Sequence, residues 1–368
     1  MRRGPIPANG NMYFQMMRHE SLFSNVAAMN VVDPEYRLYE FVPRNIRDSS
    51  NPMDDLTEDE FVSRYRLTKV LFTHVLEIIV RDISEGCLPP LLKFATCLRY
   101  YATGSIQLLH ADLHNISQPM VSRIVRDVSV ALASRHKSYI FFPTDTQGKR
   151  NVCAKFREKL RINNVIGAID CTHIRVAPPQ DTAVTFFNRK NFYSINVQVV
   201  CSADGIVQNV VARWPGSTHD ARIFRNSNLR ERLESGDLKD FILIGDGGYP
   251  LMPYLLTPIS NPNTRAQETF NHHFIRTRLI IERTFGVVKK VFGCVGGSNT
   301  LATKLSTSTA TIIAVFVLHN IRMRGNMQED EVTDLLDTQA FNTGLGEMTS
   351  DMSGRVLRNT LIARYFDN

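Results

Sequence analysis

The sequence predicts an α/β fold, a mixed-sheet domain preceded by an α-helical region. Helical periodicity dominates residues 51–140 and gives way beyond them to strand-like runs. The later order is strand, hairpin, helix, strand, helix, which packs as helices over a sheet. The runs VIGAIDCTHIRVA (165–177) and FILIGD (241–246) are apolar almost throughout, as buried central strands are.

Residues 1–50 mix Pro, Asn and Arg without a sustained period and are expected to form a partly disordered arm. Five acids fall within 54–60, and Thr57 with Glu58 and Asp59 marks a helix start. FVSRYRLTKVLFTHVLEIIV (61–80) has apolar residues at helical spacing, and LLKFATCLRYYATGS (91–105) gives a second helix ending at Gly104. SIQLLHADLH, a tight Asn115-Ile116 link and SQPMVSRIVRDVSVALAS follow. In the last of these Val121, Ile124, Val125, Val128 and Leu132 form one stripe, with Ser117 as N-cap and Pro119 in the first turn. Past residue 140 the central strand 165–177 comes first. Residues 193–214 read as a hairpin turning at Asp204-Gly205. STHDARIFRNSNLRERL (217–233) reads as a helix capped by Ser217 or Thr218, followed by the buried strand ending at Asp246 and helices over about 267–292 and 306–323. The expected division is an arm (1–50), a helical domain (51–140), a mixed-sheet domain (141–325) and a tail (326–368) without a core pattern.

The 368 residues carry a net charge of +7, which favours an anionic partner such as nucleic acid. Cys87, Cys97, Cys153, Cys171, Cys201 and Cys294 are scattered without a CxxC pair, which argues against a zinc ribbon or disulfide framework. The N-terminus lacks a secretory apolar core, and IIAVFVL (312–318) is too short to cross a bilayer. A soluble intracellular protein without membrane association is expected.

Three carboxylates stand out. Asp170 lies inside an apolar strand, Asp246 ends another, and Glu282 lies on the shoulder of the stripe formed by Phe274, Ile281, Phe285, Val288 and Phe292. A carboxylate buried in an apolar strand is costly unless neutralised. Sites in α/β sheets lie at the carboxyl ends of strands, so adjacent strands would let Asp170 and Asp246 share a cation. Gly247 and Gly248 would permit unusual backbone or a close substrate approach. Hard oxygen ligands suit two divalent ions, Mg²⁺ or Mn²⁺, acting on phosphodiesters. Taken singly, Glu282 would simply pair with Arg278 at i,i+4. Asp220 is a candidate additional metal ligand or a helix-start acid. Arg189-Lys190 and Lys289-Lys290 are candidate DNA contacts or solvated charges; His173, on the strand face opposite Asp170, is a supporting or structural residue rather than a ligand, and His219 is a candidate support.

Residues 105–132 read as helix, short turn, helix, which suits a helix-turn-helix. With the apolar stripe inward, Gln118, Ser122, Arg123 and Arg126 point outward, and Gln and Arg read base edges. Residues 93–150 hold eight Lys or Arg against three acids. An ordinary helical packing unit is the alternative.

AIDCTHIRV, NRKNFYSINVQVVCSADG, WPGSTHDARIF, GDGGYPL, ERTFGVVKK and VLHNI resemble, in order, blocks of the PIF/Harbinger transposase superfamily, including its domesticated Harbinger-derived nucleases. RLTKVLF, LRYYATGSIQ and ISQPMVSRIV resemble that family's helical region, so the likeness covers most of 65–321. It implies an RNase H-like fold with a DDE triad on Asp170, Asp246 and Glu282. Cys171 stands where many relatives have Gly. The resemblance also implies double-stranded DNA as substrate, at transposon ends and target sites, and a Myb/SANT-like DNA-binding partner. A homo-oligomer and a nuclear location, with cytoplasmic presence as well, are implied too. Two other classes compete with a DDE nuclease: a domesticated DNA-binding adaptor with an idle core, and an unrelated phosphatase-type hydrolase.

Overall fold

The computed structural model describes residues 51–84, 86, 88–327 and 351–367. The expected N-terminal arm and most of the acidic tail lie outside the described residues. The described residues begin with α1 (Pro52–Asp55) and α2 (Glu58–Tyr65). Thr57 caps α2: its hydroxyl accepts from Glu60 N at 3.4 Å, while Glu60 Oε2 accepts from Thr57 N at 2.9 Å. The single helix expected over 61–80 is broken. Arg66 takes a left-handed φ of 65° that closes α2, and Thr68 caps α3 (Lys69–Ile79) by accepting from Leu71 N. The apolar spacing continues across this break because Leu67 is itself buried, which hides the turn from a periodicity reading.

Next come α4 (Pro90–Thr103), closed by Gly104 at φ 65°, then α5 (Gln107–Leu113) and α6 (Gln118–Ser134). Ser117 holds the N-cap position of α6, but its hydroxyl makes no capping bond. The predicted stripe of α6 is buried. α7 (His136–Tyr139) is followed by α8 (Thr146–Leu160), a helix in a region expected to turn to strand. TQGKRNVCAKFREKL buries only Phe156 and Leu160, too few positions to show a helical stripe.

The sheet is built from β1 (Val165–Arg175), β2 (Ser194–Cys201), β3 (Val207–Pro215), β4 (Ile242–Ile244) and β5 (Leu255–Leu256) in the order β3-β2-β1-β4-β5. β1, β2 and β3 are antiparallel neighbours, and β4 and β5 run parallel to β1. The β2–β3 hairpin turns at Gly205, whose φ of 77° suits glycine, with Ser202 N donating to Ile206 O at 2.9 Å. Short α9 (Ala183–Phe186) precedes β2. The helix expected over 217–233 is two: α10 (Asp220–Arg225) starts after His219 rather than at Ser217 or Thr218, and Ser227 caps α11 (Asn228–Glu234).

α12 (Arg265–Val291) and α13 (Leu305–Arg324) complete the layer over one sheet face. α13 packs on α6, and Ser129 Oγ lies 2.6 Å from Tyr101 Oη and 2.9 Å from Thr311 Oγ1. α14 (Met352–Phe366) lies within the segment expected to lack a core pattern. It docks Phe366 against Phe270, ring centroids 5.7 Å apart, and Arg358 donates to Thr257 O and Pro258 O. One apolar cluster runs continuously from the N-terminal helices through α12, α13 and the sheet. A second, smaller one with Ile166, Ile169, Val200, Phe224, Leu243 and Tyr249 lies under α10 and α11. The class predicted from the pattern, helices layered on a mixed sheet, is the observed one.

Candidate active site

The register places the first two carboxylates. Ala168 pairs with Ile244 across the parallel β1–β4 ladder, so Asp170 and Asp246 each lie two residues beyond one pair, at the carboxyl end of β4. The Asp170 Oδ1 accepts from Cys171 N at 2.7 Å. Asp246 is fixed by a turn in which Gly248 N donates to its Oδ1 at 3.0 Å. Neither Gly247 nor Gly248 adopts a left-handed backbone, contrary to the expected unusual conformation. Gly248 serves close approach instead, because a Cβ there would stand 3.1 Å from Asp246 Oδ1.

α12 brings the third carboxylate and a cation. Arg278 donates to Asp170 Oδ2 at 3.0 Å and to Glu282 Oε1 at 2.6 Å, so one guanidinium spans two members of the predicted triad. The i,i+4 pair foreseen for Glu282 exists, but its cation also reaches the strand. Among the described residues, no three His, Cys, Asp or Glu side chains close on one point as a formed metal site. Burial pushes the Asp170 carboxyl up to about 8, and the neighbouring Asp246 adds to the rise against the opposing Arg278. Burial likewise raises Asp246, where Arg278 opposes and Asp220 reinforces the shift. Burial pulls Arg278 down, but Asp170, Glu282 and Asp246 outweigh it and hold the guanidinium above its ordinary value.

Asp220, the first residue of α10, joins this group. Its Oδ1 accepts from Asn196 Nδ2 at 2.8 Å, and its charge raises the carboxyls of both Asp170 and Asp246. The next residue of β1, Cys171, has its Sγ 3.3 Å from Tyr249 Oη, and burial holds the thiol far above its usual range. The pattern of acids in the chain gives no sign of Tyr249 as a partner, nor of the Arg278–Asp170 bridge. The signal available in the sequence was charge balance: a buried acid in β1 needs a cation from another element.

His219 precedes Asp220, and its ring takes a contact from the exposed Arg189 guanidinium. His173 Nδ1 lies 3.0 Å from Ser194 Oγ, and burial lowers its basicity while Asp220 opposes that. Lys190 and Lys290 are exposed, whereas the largely enclosed Lys289 donates to Thr172 Oγ1 at 2.6 Å. Gln118, Ser122, Arg123 and Arg126 lie on α6 in the helical region. Gln118 donates to Gln107 Oε1 across the α5–α6 pair, Ser122 is half-buried, and Arg126 pairs with Asp127 at 2.7 Å.

A five-stranded mixed sheet with half-buried acids side by side on adjacent parallel strands, and a helix returning a third, defines the class. Residues 169–320 match the family described as DDE superfamily endonuclease. HARBI1 of Rattus norvegicus, named as a candidate nuclease, is 30% identical over 310 residues, 78% of this chain and 89% of that protein. HARBI1 of Homo sapiens, named in the same way, is 30% identical over 281 residues, 75% of this chain and 80% of that protein. An ALP1-like protein of Arabidopsis thaliana is 24% identical over 332 residues, 82% of this chain and 80% of that protein. This chain belongs to the Harbinger-derived DDE nuclease family. No solved structure matches it.

Proposed function

We propose that the protein is a divalent-metal-dependent DNA endonuclease built on an RNase H-like core, cutting phosphodiesters at Harbinger-type transposon ends and transferring the freed 3′ ends to target DNA. The observation that carries this reading is the convergence of Asp170 on β1, Asp246 after β4 and Glu282 on α12, with Asp220 beside them. The site gathers four acids around one guanidinium. Hard oxygen donors with raised proton affinity suit Mg²⁺ or Mn²⁺. Asp170, Asp246 and Glu282 would hold the ions, with Asp220 within reach of the same group. Ions held there would activate the attacking oxygen and stabilise the leaving one. The chain's own contribution is positional. β1 and β4 hold two acids side by side, the Gly248 amide fixes the Asp246 rotamer, and α12 sets the depth of Glu282. Arg278 spans Asp170 and Glu282 and opposes, without cancelling, the burial that raises Asp170 and Asp246.

DNA reaches this centre across a basic surface that includes Arg189, Lys190 and Lys290. The α5–α6 pair would act as a helix-turn-helix, offering Gln118, Arg123 and the edge of Ser122 to the duplex, with Arg126 at the phosphates. A Myb/SANT-like partner, a homo-oligomer that pairs two DNA ends, and a nuclear location with some cytoplasmic presence complete the proposal. Among the described residues no helix is long and apolar enough to cross a membrane.

A second reading, a domesticated DNA-binding adaptor, is favoured by Arg278 itself, which already satisfies two of the three acids. Incubation with candidate terminal-repeat DNA and Mn²⁺, with and without a Myb-like partner, decides between them. Nicks that map to transposon ends and vanish in Asp246→Asn support the nuclease. Cleavage retained by purified Asp246→Asn sinks the assignment, and DNA binding without any Mn²⁺ uptake favours the adaptor.

A further inference from the structure

Beyond the acids, β1 and α12 together build a second site. A cavity of about 280 Å³ is lined by Thr172, His173, Arg175, Lys190, Phe192 and Lys289. Three of these are cations, and among the described residues none of the three forms an ion pair. Arg175 lies over the Phe192 ring at 3.8 Å, which holds its guanidinium toward the cavity wall. Lys289 is anchored to Thr172 Oγ1. Asn188 fixes the loop that carries Lys190: it is buried, its Oδ1 accepts from Lys190 N at 2.8 Å, and its Nδ2 donates to Ser194 Oγ at 2.7 Å.

The cavity has a defined relation to the acids. Thr172 follows Asp170 by two residues in β1, about 7 Å along the strand. On α12, Lys289 follows Glu282 by seven residues, about 10 Å along the axis and on nearly the same face. Both elements therefore place carboxylates at one end and cations at the other, displaced in the same sense. Phosphates of one strand succeed each other every 3.4 Å or so along a duplex axis, so this separation corresponds to two or three phosphates.

We propose that the cavity seats a backbone phosphate of the substrate strand two or three positions from the cut, with Lys289, Lys190 and Arg175 as its cations. The inference rests on the endonuclease reading and adds to it where the strand is gripped. Burial pushes the Lys289 ammonium down to about 8, with Lys190 adding to the fall.

The test uses the full chain in chelator, so that no cleavage occurs, and a fluorescent single-stranded oligothymidylate 12-mer titrated at several KCl concentrations. Lys289→Met and Lys190→Ala are each expected to weaken binding and to reduce the slope of log K against log salt by about 0.7, the value for one lost single-strand phosphate contact. Inorganic phosphate at constant ionic strength should compete with the strand on the wild-type chain and lose most of that effect on Lys289→Met. Should Lys289→Met not fold, as judged by circular dichroism, the exposed Lys190→Ala carries the decision. Wild-type affinity, slope and phosphate competition in these variants overturn the proposal, as does a wild-type chain that does not bind the strand. Separate nicking assays with Mn²⁺ distinguish the two failures. Nicking with unchanged slopes removes the pocket alone, whereas changed slopes without nicking leave the pocket and remove the nuclease.

Discussion

Asp170→Asn should make the protein more stable while stopping it from responding to metal. In the folded chain the Asp170 carboxyl is raised from 3.8 to about 8. The folded state therefore binds this proton more tightly than the unfolded state does, and stability falls as pH rises between those two values. About four units at ~1.4 kcal/mol each give roughly 5–6 kcal/mol lost by pH 8. Asn removes that penalty. It also leaves a single amide oxygen for two donors, Arg278 and the Cys171 amide, a loss of about 1–3 kcal/mol for the donor left without its partner. Arg278 keeps Glu282, so the net gain at pH 8 in chelator is on the order of 3 kcal/mol. At roughly 2 °C per kcal/mol for a chain of this size, Tm should rise by about 6 °C. Differential scanning calorimetry at pH 8 with EDTA, then with Mn²⁺, reads both parts. Wild type should gain stability from Mn²⁺, and Asp170→Asn should lose most of that gain. A lower Tm for Asp170→Asn in EDTA, or an unchanged Mn²⁺ response, refutes the view that this acid is strained in the absence of an ion.

The remaining predictions concern the frame. Gly205→Ala forces a side chain into φ 77° and should lower stability by about 1–2 kcal/mol in urea titrations. Gly286→Ala, one turn beyond Glu282 on α12 with open space where the Cβ would go, should raise it by up to ~1 kcal/mol. Phe366→Ala should lower it by about 3–5 kcal/mol, since Phe366 is buried against Phe270. Burial holds His319 down to about 4. The unfolded chain takes up this proton first, so about 3 kcal/mol is lost as pH falls from 6.5 to 4. His319→Gln, able to keep a donor toward Gly205 O, should flatten that part of the pH–stability curve.

How much of this was legible in the sequence depends on the kind of signal. The Asp204-Gly205 hairpin, the α6 stripe and the placement of Asp170 within one strand and Asp246 just past the end of another follow from local chemistry and period, and the structure has them; that the two strands are neighbours comes from the structure. Breaks inside helices were less visible. Arg66 and Ser227 interrupt runs whose apolar spacing continues across the turn. α8 and α14 bury few side chains, so their amphipathicity is weak, and α14 owes its place to tertiary contacts of Arg358 and Phe366. Site members recruited from other elements were hidden for the same reason. Arg278 was readable as a partner for Glu282 four residues away, not for Asp170 more than a hundred residues upstream. The cavity lined by Arg175, Phe192 and Lys289 exists only once β1 and α12 are packed together.

The most direct measurement is anomalous diffraction from crystals soaked in Mn²⁺. A peak about 2.0–2.2 Å from carboxylate oxygens of Asp170 and Asp246, with Glu282 alongside and Arg278 turned away from Asp170, is the predicted result. Crystals saturated with Mn²⁺ that show no peak there, and an Arg278 still bridging Asp170 and Glu282, would contradict a metal-dependent centre at this site.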